Sequence, residues 1–157
     1  WQSATTFDQL KVPKNDTNIV LSFHFYEPFF LTHYHAGWTN LKDFNGEVNY
    51  PGQIVLNSNL PEHIRVYNRD TLVKMMEKPL RVAATLKLPL YCGEFGIYNN
   101  FFPSAKLAWY KDMISIFEEH EVAYANWNYK SGAFGIVDDD GKPIQPYLNI
   151  VAGKGDK

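Results

Sequence analysis

One cysteine, Cys92, is all that the 157 residues contain, which excludes an intrachain disulfide framework and a cysteine-built zinc cluster. No apolar run approaches the roughly 20 residues needed to span a bilayer, so no membrane partner is expected. The opening stretch from Trp1 to Thr6 lacks the charged-then-apolar layout of a secretory leader, so an exported form is expected to have lost its leader already. An excess of one charge is missing too. With 15 Lys and Arg against 17 Asp and Glu, the formal charge of −2 supplies no field for a nucleic-acid backbone or an anionic lipid surface. Internal repeats and low-complexity tracts are also missing. What is abundant is aromatic: 11 Phe, 10 Tyr and 4 Trp, several beside polar residues rather than inside apolar runs, a composition suited to a ring-lined binding surface.

Three short apolar runs read as buried strands: Thr17 to Phe25, Leu88 to Phe95 and Val122 to Tyr129, each closed by glycine, proline or polar residues. Between the second and third, Ser104 is placed to cap a helix whose apolar positions Leu107, Tyr110, Ile114 and Phe117 step by three and four and which ends near His120. Before the second run, Asp70 is placed to cap a helix through Leu72, Val73, Met76, Leu80, Val82 and Ala83, with Pro79 kinking or breaking it. Short helical stubs are expected at Phe7 to Leu10 and Pro146 to Val151, and Thr32 to Arg65 reads as a long irregular insertion. Alternation of helix with strands apolar on both faces predicts an α/β fold with a parallel sheet. Three strands do not close an eight-stranded barrel, for which about 250 residues is typical.

Ligands bind at the C-terminal ends of parallel strands, and here all three ends carry chemistry. His24 and Tyr26, two apart, share a face; Cys92 and Glu94 do so by the same rule; Trp127 closes the third run. A carboxylate in an apolar strand needs partners, and Tyr and His donors are the ones available to Glu94.

The ordered segments Ser22-Phe-His24-Phe-Tyr26-Glu-Pro28-Phe-Phe-Leu-Thr-His33, Tyr91-Cys-Gly-Glu94-Phe-Gly-Ile-Tyr-Asn-Asn and Tyr124-Ala-Asn-Trp127-Asn-Tyr-Lys130-Ser-Gly-Ala-Phe-Gly-Ile-Val-Asp138 resemble the C-terminal part of family 5 glycoside hydrolases, the retaining cellulase-like enzymes. The resemblance implies that residues 1–157 form the C-terminal portion of a (β/α)8 TIM barrel, about strands six to eight, with Trp1 just past strand five. It implies an endo-β-1,4-glucanase working by double displacement without a cofactor or metal. Glu94 is the implied nucleophile, His24 and Tyr26 the groups that orient it and contact the sugar, and Trp127 the platform under the reacting ring. Trp38 is a second candidate platform and Lys130 a candidate hydrogen-bond donor to a neighbouring sugar.

The implied acid/base, a Glu after an Asn at the end of strand four, has no counterpart in this chain, so it must come from a preceding barrel half or a second copy. Glu27 is a poor substitute beside Pro28. Rival readings are a Cys92 nucleophile, a metal site on His24, His33 and His35, and a non-catalytic carbohydrate-binding part-barrel. A polysaccharide substrate implies a secreted or periplasmic location, and Asn15-Asp16-Thr17 fits a glycosylation acceptor.

Overall fold

In a computed structural model, residues 2–56, 64–98, 101–130 and 132–154 are described; Trp1, together with Asn99, Asn100 and Ser131 of the quoted segments, lies outside them. Four parallel strands form one sheet in the order β1 (Gln2–Ser3), β2 (Leu21–Phe25), β5 (Leu90–Phe95) and β6 (Ala123–Asn126). The last three are the expected strands, each trimmed at its ends. Gln2 and Ser3 still pair with Phe23 and His24, so the preceding strand continues past the point where the chain was expected to have left it.

The strands are not buried on both faces as expected. Leu21, Phe23 and Phe25 of β2 are buried, whereas Ser22 and His24 between them are half-buried. The core lies between the outer face of the sheet and its helices, where Phe7, Phe23, Phe95, Trp109, Tyr110 and Phe117 are closed off from solvent. Each such side chain contributes about 2–3 kcal/mol by leaving water.

The helix expected from Asp70 is two helices, α2 (Arg69–Met75) and α3 (Glu77–Leu86), hinged at Met76. Pro79 is the third residue of α3, where a missing N–H removes no intrahelical bond. The cap is Asn68 rather than Asp70: its side chain accepts from Thr71 N–H at 3.0 Å while the Thr71 hydroxyl accepts from Asn68 N–H at 2.8 Å. Likewise α4 (Pro103–Glu119) starts on Pro103, whose fixed φ suits the first helical position, and Ser104 falls inside the first turn instead of capping it. The expected stub at the C-terminus is α5 (Tyr147–Val151), whereas the one expected at Phe7 to Leu10 is a 3-10 turn that begins three residues earlier, Ala4–Gln9.

The insertion after β2 is more ordered than expected. After the single turn α1 (Phe29–Thr32) it contains an antiparallel hairpin, β3 (Gly52–Val55) with β4 (Ile64–Tyr67), whose Ile54 is fully buried. Side chains near its base fasten it to α4. The Tyr50 hydroxyl donates to Asp112 at 2.6 Å, and Arg69 donates to Ser115 Oγ at 3.0 Å and to the Glu119 carboxylate. None of the described helices is long and apolar enough to cross a membrane.

Candidate active site

Glu94 reaches its place through a bulge. Phe23 pairs with Cys92, and the next residue, His24, pairs with Glu94, so Gly93 is an extra residue on β5. Strict alternation would turn Glu94 towards the core; the bulge delivers it to the face that carries His24. The expectation that Cys92 and Glu94 share a face is therefore wrong, because the two lie on either side of the extra residue. Space at Gly93 is tight: a Cβ would stand 3.2 Å from Ser22 Oγ and 3.4 Å from His24 Nε2.

Two side chains meet on one oxygen of Glu94. The Tyr26 hydroxyl donates to Oε2 at 2.9 Å, and His24 Nδ1 lies 3.2 Å from the same atom. Burial first, then the Glu94 bond and charge, hold the Tyr26 phenol far above its ordinary range, so it remains a donor. Cys92 is fully buried and burial pushes its thiol up, the opposite of an activated nucleophile.

Glu27 faces elsewhere. Its carboxylate accepts from Phe29 N–H at 3.1 Å, its carbonyl accepts from the Trp109 indole at 2.9 Å, and burial raises its carboxyl pKa.

The third strand end is joined to the second through the backbone. Trp127 N–H donates to the Phe95 carbonyl at 2.8 Å, and Asn126 spans the turn, accepting from the Tyr110 hydroxyl at 2.8 Å and donating to the Asn128 carbonyl at 3.0 Å. The Trp127–Asn128 peptide is cis and the indole is 48% exposed. Trp38 is 65% exposed and stands edge-on to Tyr98, with ring centroids 4.8 Å apart. Phe134, from the loop after β6, touches Tyr26, His33, Trp38 and Tyr98 with centroid separations of 5.4–6.4 Å. Rings from the segments after all three strands thus meet at Phe134. Lys130 is exposed beyond the end of β6.

Sequence reasoning missed Phe134, Tyr98 and Thr32, which lie outside the strands, and Asn126, the last residue of β6; the signal was the density of rings and amides around the strand ends. His33 and His35 have separate neighbours. His33 stacks on Phe29 at 4.1 Å, whereas His35 stacks on Tyr34 at 4.1 Å with its Nε2 2.6 Å from the Phe44 carbonyl. No group of three His, Cys, Asp or Glu among the described residues is placed to hold a metal ion.

Residues 1–133 match the family model described as Cellulase (glycosyl hydrolase family 5). Endoglucanase C of Acetivibrio thermocellus is 35% identical over 151 residues, covering 88% of this chain and 44% of that protein. Endoglucanase 3 of Fibrobacter succinogenes is 25% identical, covering all of this chain and 26% of that protein. A solved endoglucanase overlays on 99% of this chain and 45% of its own, with a TM-score of 0.74 and 27% identity. An enzyme of Thermotoga maritima, solved with mannotriose and with cellobiose, overlays at a TM-score of 0.75 and 21% identity, on 96% of this chain and 45% of its own. The chain therefore spans less than half the length of these relatives, and its parallel sheet is part of their barrel.

Proposed function

The chain belongs to the cellulase family, glycosyl hydrolase family 5, and from that premise we propose that it supplies the nucleophile side of a retaining β-1,4-glucanase site. The convergence of Tyr26 and His24 on a single oxygen of Glu94 carries this reading. Donors to the charged form favour a carboxylate and fix its aim, and Oε1, which neither engages, is the attacking oxygen.

Oε1 forms the bond to the anomeric carbon while the glycosidic oxygen leaves with a proton from the acid/base, a carboxylic acid contributed by a strand outside this chain. Water, deprotonated by the same group, then attacks that carbon and releases Glu94. Two displacements restore the anomeric configuration. Retaining geometry requires the two carboxyl groups about 5 to 5.5 Å apart, and the Glu27 carboxylate is engaged by Phe29 N–H.

Trp127 and Trp38 serve as the faces on which sugar rings lie, and Lys130 as a donor at the rim. The cellobiose and mannotriose complexes of the Thermotoga maritima relative support a short β-linked hexose oligomer as ligand. A polymeric substrate places the working protein outside the cytoplasm. A passive sugar binder gains nothing from a carboxylate held by two side chains on one oxygen, so the hydrolase reading is favoured over the binding module.

The test is the stereochemistry of the first product. The complete barrel acting on a soluble β-1,4-glucan should release the β-anomer, followed by proton NMR before mutarotation; initial α-anomer would refute double displacement. Tyr26→Phe should reduce kcat about 10- to 100-fold by removing one hydrogen bond to a charged group, and an unchanged kcat would show that the phenol does not aim Glu94. Trp127→Ala should weaken cello-oligosaccharide binding about 5- to 10-fold, the worth of one aromatic face, as read by calorimetry. Unchanged affinity would make the indole a structural residue.

A further inference from the structure

We infer that Thr32 is a positioning residue for the Tyr26–Glu94 pair, kept in that role by His33 in its Nδ1–H form. The inference rests on reading Glu94 as the attacking group. Tyr26 lies one residue beyond β2, where ladder hydrogen bonds stop and its carbonyl needs another donor. The Thr32 hydroxyl is that donor, 2.5 Å away and fully buried. The Thr32 carbonyl in turn accepts from Tyr98 N–H at 2.7 Å, and Tyr98 lies four residues after Glu94. One residue therefore ties the strand end that carries the phenol to the segment that follows the carboxylate.

The same hydroxyl dictates the state of its neighbour. Thr32 Oγ1 is 3.0 Å from His33 Nδ1. A hydroxyl has one proton, and a carbonyl can only accept, so that proton is committed to Tyr26. Nδ1 of His33 must then carry a hydrogen and donate to Oγ1, which leaves Nε2 as the bare nitrogen of the neutral ring. Burial lowers the His33 pKa to about 4, in keeping with a neutral ring. The ring is set in place by Phe29 on its face and by Tyr26 and Phe134 at its edges. His33 thus supports Tyr26 twice, by ring contact and through Thr32.

The experiment combines ring-nitrogen NMR with kinetics on the complete barrel. Histidine labelled with 15N, with the His33 signals assigned by their loss in His33→Gln, should show a protonated Nδ1 and a bare Nε2 at neutral pH. Thr32→Val keeps the shape and removes the hydroxyl. It should shift His33 towards the Nε2–H form and lower kcat for a short cello-oligosaccharide about 10- to 100-fold, the cost of a small misplacement, with KM changed less than about twofold. Thr32→Ser should restore the tautomer and most of kcat. A wild-type His33 protonated at Nε2, or a folded Thr32→Val with unchanged kcat, overturns the inference. Failure of the nucleophile reading looks different: Glu94→Gln would turn over normally while the His33 tautomer stayed as described.

Discussion

Replacing Glu94 by Gln should lower turnover of a soluble β-1,4-glucan by on the order of 10⁴-fold or more in the complete barrel, the scale seen when an enzyme loses its nucleophile. The substitution is nearly isosteric, and the amide oxygen still accepts from the Tyr26 hydroxyl at the place where Oε2 now does. The amide lacks the negative charge and lone-pair basicity needed to form the glycosyl ester. Melting temperature and oligosaccharide affinity should therefore change little while the rate collapses. A glycoside with a good leaving group whose glycosyl ester is slow to hydrolyse, such as a 2-deoxy-2-fluoro sugar, offers a second reading: the wild type should gain the mass of one glycosyl unit on the peptide containing Glu94, and the Gln variant should gain none. Near-normal turnover by Glu94→Gln would refute the assignment outright. Loss of binding along with rate would instead mean that the carboxylate chiefly holds the sugar.

The second large effect is on structure. Gly96→Ala should cost about 3 kcal/mol of stability, at the upper end for forcing one extra carbon into a packed site. A Cβ on Gly96 would stand 2.3 Å from the carbonyl oxygen of Trp127 and 3.3 Å from the Phe134 ring. That carbonyl has little freedom, because Trp127 N–H is held by Phe95 and the following turn by Asn126. Relief must come by pushing Trp127 and its indole away from the end of β5, so sugar affinity should fall with stability. Gly37→Ala is the control: no atom lies within 4 Å of its added Cβ, and its cost should stay within about 0.5 kcal/mol. Denaturant titration of both variants checks the pair. A Gly96→Ala variant as stable as Gly37→Ala would show that the Trp127 backbone yields easily.

Much of this arrangement was legible before any coordinates, for physical reasons that also mark the limits. The strand ends could be read because apolar runs stop where the chain meets solvent, and His24 and Tyr26 could be paired because a two-residue period leaves no choice within one strand. Glu94 stood out as a carboxylate in an apolar strand that needed partners, but its direction was not derivable from that period. A bulge depends on the partner strand, and the strand's own sequence marks it only by a glycine. Asn68 and Asp70 are both good cap residues, and what decides between them is Thr71, three positions after Asn68. The hairpin of β3 and β4 was hidden because its strands are four residues each and no tight-turn dipeptide joins them. Phe134 and Thr32 act through contacts between segments far apart in sequence, about which periodicity carries no information.

The division of the sheet into a buried outer face and a half-buried inner one has a consequence for heredity and for engineering. The greasy packing of β2, β5 and β6 is against helices of the same chain, so the hydrophobic free energy of this segment is largely local to it. The inner face, with Ser22, His24, Tyr91 and Glu94, is polar or mixed. A joint between this segment and the remainder of a barrel therefore leaves the packing of this outer face undisturbed. Such a boundary is a natural place for recombination: a chimera that crosses over ahead of β1, so that Phe7 stays with Phe23 in the core, exchanges the preceding part of a barrel while this segment keeps its own packing intact.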